Sequence, residues 1–286
     1  MPEPTGAPAP DPRETPPPTR ESEPVVDSSS AAPDPREVPP REPTPVVDDS
    51  SAAPGREPGL STAEDSPQPA KPAKPGSPGR EVHCGDALAW LAGRSPIPAA
   101  SFVTSLPDVC EVPMTFPAWR AWFIDAAAAV LRATPPEGVA IFYQTDIKHD
   151  GAWIDKSYLV QLAGERCGRV LAWHKIACRK PPGTLMFGRP GYTHVLCLAH
   201  APRREPDGLP DVFAAGTMTW TRAMGVDACR LACTYIQRHT TTRTVVDPFC
   251  GRGTVLAAAN AAGLAAIGVD LSAKRCRAAE RLTLDP

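Results

Sequence analysis

The chain has no long apolar run and no Cys-x-x-Cys pair. The first absence leaves no candidate for a membrane-spanning helix, and no apolar core of a signal peptide follows Met1. The second argues against a zinc site, because Cys229 and Cys233 lie one helical turn apart without a matching second pair. We therefore expect a cytoplasmic protein with reduced thiols, no metal and no membrane attachment.

Aromatic residues and cysteines are absent from residues 1–80, which hold 22 of the 37 prolines. Such a segment offers too little apolar surface to offset the entropy lost on ordering. Its two-copy repeat, residues 24–33 and 45–54, has no apolar face to stack. We predict a disordered Pro/Ser/Glu-rich tail over residues 1–80 and a single domain over residues 81–286.

Charge is divided unevenly between these two parts. Residues 1–80 carry a net charge of −6 and the rest of the chain +4, within a total of −2. A mildly basic domain permits a polyanionic partner without requiring one.

The stretch most informative about function is residues 245–254, Val-Val-Asp-Pro-Phe-Cys-Gly-Arg-Gly-Thr. The two valines end a buried strand, Gly251 and Gly253 allow a tight turn, and a helix begins at Thr254. The strand after that helix ends at Asp270. An acidic residue about twenty positions after a glycine-rich turn suits hydrogen bonding to ribose hydroxyls, so the pattern predicts a nucleoside site.

Alternating strand and helix patterns predict an α/β fold with a doubly wound, mostly parallel sheet. The predicted strands cover residues 100–104, 139–144, 169–176 and 193–199, then the segments that end at Val246 and Val269. The predicted helices cover residues 116–133, 157–163, 227–238, 254–262 and 272–282. Residues 145–151 are predicted as a polar loop and residues 201–216 as a polar linker.

The amino-acid sequence of the turn distinguishes between cofactors. Asp247-Pro248-Phe249 before a single Gly-Arg-Gly differs from the Gly-x-Gly-x-x-Gly dinucleotide fingerprint. It resembles the S-adenosylmethionine loop of the amino-group methyltransferases, the adenine-N6 and cytosine-N4 methylases of nucleic acids. A Rossmann-like turn for another nucleotide is the alternative. The resemblance implies a Rossmann-like methyltransferase fold, S-adenosyl-L-methionine as cofactor, and cofactor contacts from Asp86, Asp247, Phe249, Gly251, Gly253, Thr254, Asp270, Thr219 and Arg222.

Asp86 has two interpretations. It follows Gly85 and precedes a short apolar helix, so capping alone would explain it. In the resembled family, when the catalytic half precedes the cofactor loop, a Gly-Asp-x-Leu segment brings its aspartate to the adenine ring.

The tetrapeptide Ser105-Leu106-Pro107-Asp108 follows the first apolar strand, where the resembled family has Asp, Asn or Ser, then Pro-Pro and an aromatic residue. The resemblance implies that this tetrapeptide is catalytic: the Ser105 oxygen and the Leu106 carbonyl would hold the two hydrogens of an exocyclic amine, and Pro107 would fix the turn. In isolation the default interpretation of the segment is a strand end with a Pro-Asp turn, and its spacing after Gly85-Asp86 is what favours the catalytic interpretation.

Asp108 departs from the family pattern, because an aromatic ring there normally stacks on the extruded base. Either another ring supplies the stacking or Asp108 itself binds the target. The alternative rings are Phe142, Tyr143 and Trp173.

Cations and aromatic residues around the predicted strand 169–176 suit contacts with phosphates and bases. A solvated loop and a core position for Trp173 are the alternatives. The substrate-binding candidates are Lys148, Trp173, Lys175, Arg179, Lys180 and Arg189.

These features together predict methyl transfer to an exocyclic amine of a nucleic-acid base. We prefer RNA slightly over DNA, since residues 201–216 leave no room for a recognition domain. A DNA methylase, a small-molecule or protein methyltransferase and a non-catalytic cofactor-binding protein are the alternatives. Cys110 and Cys250 lack the Pro-Cys context of a ring-carbon mechanism, and the oligomeric state is open.

Overall fold

The structure is a computed structural model that describes residues 78–204, 208 and 210–285. Residues 1–77 of the predicted tail lie outside the described residues, and the first strand begins at Arg80. The strands are β1 (Arg80–Cys84), β2 (Ala100–Thr104), β3 (Ala140–Gln144), β4 (Ile147–His149), β5 (Ala152–Ile154), β6 (Val170–Cys178), β7 (Tyr192–Ala199), β8 (Val212–Ala214), β9 (Thr244–Asp247) and β10 (Ala265–Asp270). The helices are α1 (Ala87–Ala92), α2 (Phe116–Ala133), α3 (Lys156–Arg166), α4 (Val226–His239), α5 (Thr254–Ala261) and α6 (Ala273–Arg281).

Eight strands form the central sheet in the order β1-β10-β9-β2-β3-β7-β6-β8. Strand β7 is antiparallel to both of its neighbours, and the other adjacent pairs are parallel. The chain leaves β9 through α5 toward β10 on one side, and leaves β2 through α2 toward β3 on the other. The two directions diverge between β9 and β2, which is where open α/β sheets bind ligands.

Two apolar layers cover the sheet, one on each face. Strands β2 and β3 are buried along their whole length, as expected of strands with helices on both sides. Helices α1, α2 and α3 pack on one face, and α4 and α5 pack on the other with Ala279 of α6. The predicted doubly wound, mostly parallel α/β fold is confirmed.

The long elements lie within three residues of their predicted bounds, and the short ones differ from prediction. Strand β1 was not among the predicted strands and begins one residue before the predicted start of the domain. The hairpin β4–β5 overlaps the predicted polar loop, and β8 lies within the predicted linker. A bilayer-crossing helix would need greater length or apolarity than any helix in the described part of the chain possesses.

Candidate active site

Four parallel strands end side by side around one cleft of about 200 Å³. Each contributes a residue from its carboxyl end: Asp86 follows β1, Asp270 ends β10, Asp247 ends β9 and Ser105 follows β2. The order of strands in the sheet brings together residues that are up to 184 positions apart in sequence. The cleft is therefore a product of topology rather than of a single loop.

Asp247 is fixed at the floor of this cleft. Its Oδ1 accepts hydrogen bonds from the Thr104 hydroxyl at 2.7 Å and from the Phe249 backbone amide at 3.1 Å. The side chain is only 3% exposed, and burial raises the pKa of its carboxyl to about 7 in spite of these two hydrogen bonds. Since both bonds are made to Oδ1, Oδ2 is available to a cationic group in the cleft, and such a group would stabilise the ionised form.

The turn after Asp247 depends on its glycines. Gly251 has φ +55°, and a Cβ there would lie 2.7 Å from the indole of Trp220. Gly253 has φ +84°, and a Cβ there would lie 2.7 Å from the Cα of Ala279 in α6. The turn therefore packs against an aromatic ring on one side and a helix on the other.

Trp220 is a cleft residue that the sequence did not reveal. Its ring lies against Gly251, and the guanidinium groups of Arg252 and Arg275 lie 5.3 and 5.7 Å from its centroid. Its position depends on the close approach of a residue 31 positions later, for which no local sequence pattern exists. Trp122, which the helical pattern placed on the inward side of α2, also lines the cleft beside Phe249.

Asp270 and Asp86 flank the other end of the cleft. The Oδ1 atom of Asp270 accepts the Ser272 amide at 2.8 Å, and Oδ2 lies 3.6 Å from Arg275. Asp86 caps α1 by accepting the Ala89 amide at 2.7 Å and also lines the cleft. The capping and ligand-facing interpretations of Asp86 are thus compatible.

A second, more polar chamber adjoins the first. Ser105 and Leu106 line both chambers, so they lie at the junction. The Pro107 carbonyl accepts the Trp119 indole hydrogen at 3.1 Å and is occupied, whereas the Leu106 carbonyl is the one that the resemblance implies as an acceptor.

Asp108 faces the second chamber in place of an aromatic ring. Its carboxylate forms an ion pair with the buried Lys156 and lies 3.6 Å from Arg189. Glu111 accepts the Asp108 backbone amide at 2.9 Å and pairs with Arg222 at 2.6 Å. The wall is thus built from charged groups rather than from a stacking surface.

The predicted cofactor residues meet at the first chamber, with two exceptions. Gly253 and Thr219 are not among the described residues that line it. Gly253 instead lets the turn pack on α6. The Thr219 hydroxyl is hydrogen-bonded to the Thr254 hydroxyl at 2.6 Å. Gly253 and Thr219 thus stabilise the turn without lining the chamber. Arg222 lines the cleft but pairs with Glu111. The residues of that prediction that line the chamber are Asp86, Arg222, Asp247, Phe249, Gly251, Thr254 and Asp270.

The substrate-binding prediction is wrong for the two buried side chains. Trp173 is 2% exposed and packs edge-on against Tyr235 at 5.1 Å, so it belongs to the core. Lys175 lies on the same face of β6, is equally buried, and pairs with Asp211 at 2.9 Å. Neither side chain reaches the cleft.

The other substrate candidates divide by position. Arg179 and Arg189 line the second chamber, and Lys180 is exposed next to Arg179. Lys148 lies on the β4–β5 hairpin over the ring of Trp153, outside the linings of both chambers as the described residues define them.

The three aromatic residues considered for stacking on the base, Phe142, Tyr143 and Trp173, lie in different places. Phe142 is fully buried in the core. Tyr143 is the one of the three that borders the second chamber, and burial raises the pKa of its hydroxyl.

Cys250, one of the two cysteines named for a ring-carbon mechanism, does not suit it. Cys250 lines the first chamber but is 5% exposed, and burial raises its thiol pKa well above the ordinary value. A thiol held in its neutral form is a poor nucleophile.

One group of metal-ligand type exists within the described residues. Potential ligand atoms of Asp146, Asp155 and His194 lie within 4.8 Å of one another. Asp146 already accepts the Lys156 amide at 3.0 Å and lies 2.9 Å from His194, and Asp155 caps α3. These hydrogen bonds join the end of β3 to the start of α3 behind the second chamber.

Comparison with known proteins gives a family match and a fold match. Residues 234–281, which contain the turn after β9 and Asp270, match a family model described as DNA methylase. The comparison with curated proteins found no match.

Two solved structures share most of the fold. TTHA0409, a presumed DNA modification methylase of Thermus thermophilus, is 20% identical with a TM-score of 0.54 over 70% of this chain and 92% of its own; it has also been crystallised with S-adenosyl-L-methionine. The PvuII cytosine-N4-specific DNA methyltransferase is 15% identical with a TM-score of 0.56 over 72% of this chain and 88% of its own.

The family match includes the cleft residues Asp247, Gly251 and Asp270, and the fold match covers 70–72% of the chain. Residues 234–281 are thus similar to the DNA methylase family, and the chain shares the fold of these two proteins.

Proposed function

We propose that the chain is an S-adenosylmethionine-dependent methyltransferase of the amino-group family, that it acts on DNA, and that it methylates the exocyclic amine of a base, adenine N6 or cytosine N4. The observation that carries the proposal is the position of Ser105 and Leu106 at the junction of the two chambers. A methyl donor in the first chamber and an amine in the second would meet at these two residues.

The residues of the first chamber suit S-adenosylmethionine. The buried Asp247 carboxylate would bind the ammonium group of its methionine end, and Asp270 would bind the ribose hydroxyls. The cofactor supplies a sulfonium methyl that a nitrogen lone pair can accept, with the S–CH₃ bond electrons returning to sulfur.

The second chamber would hold the acceptor amine. The lone pair of such an amine is delocalised into its ring, so positioning must align it with the methyl carbon. The Ser105 hydroxyl and the Leu106 carbonyl would accept the two amine hydrogens and orient the lone pair toward the first chamber. The amine loses one proton as the N–CH₃ bond forms, and this proton can leave through the polar wall to solvent.

A DNA substrate agrees better with the comparisons than an RNA substrate does. The preference for RNA was based on the absence of room for a recognition domain in residues 201–216. The matching family model and both structural relatives are described as DNA methylases. Nothing in the comparisons supports RNA. Arg179 and Arg189 at the second chamber suit contact with the phosphates on either side of a target nucleotide.

The test is transfer of labelled methyl from S-adenosylmethionine to unmethylated genomic DNA, with total RNA and cell protein as parallel acceptors. We expect label in DNA, and mass spectrometry of the digested nucleosides then identifies the base. Label confined to RNA, protein or small molecules would contradict the proposal.

The Ser105→Ala variant tests the position of the amine. We expect methyl transfer to fall by about 100-fold, because one of the two acceptors that align the lone pair is lost. Donor binding, measured by calorimetry, should stay within about twofold because the turn at Asp247 is untouched. The matched control is Ser95→Ala, an exposed serine that precedes β2 and so lies at the opposite edge of the sheet from the cleft. This control should transfer methyl at close to the wild-type rate.

A further inference from the structure

The β6–β7 loop presents large apolar side chains to solvent. Leu185 is 85% exposed and Phe187 is 93% exposed, with Met186 between them at 41%. Exposure this complete at adjacent large apolar residues is unusual in a globular domain and commonly indicates an interaction surface.

The base of this loop is well defined. The amides of Arg179 and Lys180 both donate to the Gly191 carbonyl, at 2.7 and 3.2 Å. Met186 folds back over the same point, since a Cβ on Gly191 would lie 3.2 Å from its Cγ. The side chain of Met186 thus braces the loop, and Leu185 and Phe187 on either side of it remain uncovered by the described residues.

The loop lies beside the proposed amine chamber. Strand β6 runs parallel to β3, so its carboxyl end shares the edge of the sheet at which the chambers open. Arg179 and Arg189, which stand at the two ends of the loop, line the second chamber. The apolar tip and the chamber are therefore joined by two cationic side chains.

This arrangement fits a duplex from which a base has been extruded. We infer that Leu185 and Phe187 form an intercalating wedge that enters the DNA base stack as the target base swings into the second chamber, an inference that rests on the proposed function. Apolar side chains that enter base steps are a general device of DNA-bending and base-flipping proteins. Arg179, Lys180 and Arg189 would contact the phosphates on either side.

The wedge also accounts for the departure at Asp108. The ring that would stack on an extruded base is replaced by a carboxylate paired with Lys156. A base that gains less stacking in the chamber is harder to hold outside the helix. Stabilising the gap that the base leaves in the duplex therefore becomes more important. Phe187 supplies a ring for that purpose.

Charge distinguishes DNA from other occupants of an apolar tip. A protein partner would require only apolar complementarity, whereas this tip is bracketed by three cations, two of which face the site of methyl transfer. A duplex offers both a stacked apolar interior and flanking phosphates.

The experiment compares Phe187→Ala, Phe187→Trp and Leu171→Ala. Leu171 is an exposed apolar residue at the start of β6, on the opposite edge of the sheet from the loop. On native unmethylated genomic DNA we expect Phe187→Ala to transfer methyl about tenfold more slowly, with the other two variants within about twofold of wild type. A Phe187→Ala variant that keeps at least half the wild-type rate, or a Trp variant that loses as much as the Ala variant, would overturn the wedge.

A second measurement does not depend on methyl transfer. Relaxed plasmid is incubated with the protein, S-adenosylmethionine and topoisomerase, and the linking number is read after the protein is removed. Wild type should unwind the plasmid and Phe187→Ala should not; equal unwinding would overturn the wedge. Unwinding by a wild-type protein that methylates no DNA would instead contradict the proposed function and leave the wedge in place.

Discussion

Asp247 is a buried carboxylate with a raised pKa, and this has a measurable cost. Without donor the folded state holds its proton up to about pH 7, whereas an unfolded aspartate releases it near pH 4. The contribution of this residue to stability is therefore fully present below about pH 4 and is lost as pH rises through about 7. We predict that the melting temperature of donor-free Asp247→Asn falls less than that of wild type between pH 5 and pH 8, as measured by scanning calorimetry.

The matched control is Asp125→Asn, an exposed carboxyl on α2. Its melting temperature should follow wild type at every pH. Equal pH dependence of wild type and Asp247→Asn would contradict the assignment of the raised pKa to Asp247. The same Asn variant should bind S-adenosylmethionine much more weakly, because it lacks the carboxylate that we propose as the partner of the cofactor ammonium.

At single positions, the sequence was informative where a polar residue of functional type stands at the end of an apolar strand. Asp247 and Ser105 each follow an apolar strand, so their place at a sheet edge could be predicted. Lys175 was misassigned because its partner Asp211 lies 36 positions away, and a cation paired across that distance looks the same in sequence as one facing a ligand. Trp220 was missed because its contact is with a glycine in another segment.

At the level of elements, the turn that leads into α5 depends on close contact with α6. Gly253 and Gly263, at the two ends of α5, have similar positive φ values of +84° and +78°. A Cβ at Gly253 would lie 2.7 Å from the backbone of Ala279, whereas nothing lies within 4 Å of a Cβ at Gly263. The two positions thus share the conformational penalty and differ in packing.

We predict that Gly263→Ala lowers the free energy of unfolding by about 1 kcal/mol, the cost of a left-handed conformation for a residue with a Cβ. Gly253→Ala should lower it by roughly 2–4 kcal/mol, since displacement of α6 adds to that cost. Urea denaturation of the donor-free proteins measures both values. Equal losses would show that α6 yields freely and that the packing against the turn is unimportant.

The long helices and strands were predictable because each carries a continuous apolar pattern. Strands β4, β5 and β8 have three residues each, too few to show the two-residue alternation that identifies a strand. These omissions do not affect the site, since none of the described residues that line the first chamber lies in β4, β5 or β8.

At the scale of the whole molecule, the sheet order determines the site. Strand β2 pairs with β9, which is about 140 positions later in the sequence, and this pairing places Ser105 beside Asp247. The resemblance implied that the two motifs would meet. Strand pairing over such a distance has no local signal, so the sequence by itself could not show it.

The overall charge of the chain is −2, so attraction to DNA must depend on where the cations lie rather than on their sum. Arg179 lines the second chamber, while Arg132 is exposed near the end of α2, at the opposite edge of the sheet. Replacing either by Gln changes the total charge equally. We predict that Arg179→Gln reduces the slope of log K against log salt concentration by about 1 for duplex DNA, and that Arg132→Gln leaves it unchanged. Fluorescence anisotropy with a labelled mixed-sequence duplex at several salt concentrations measures the slopes. If both variants reduced the slope equally, the attraction would come from the total charge, and the edge of the sheet that carries the cleft would have no special part in holding DNA.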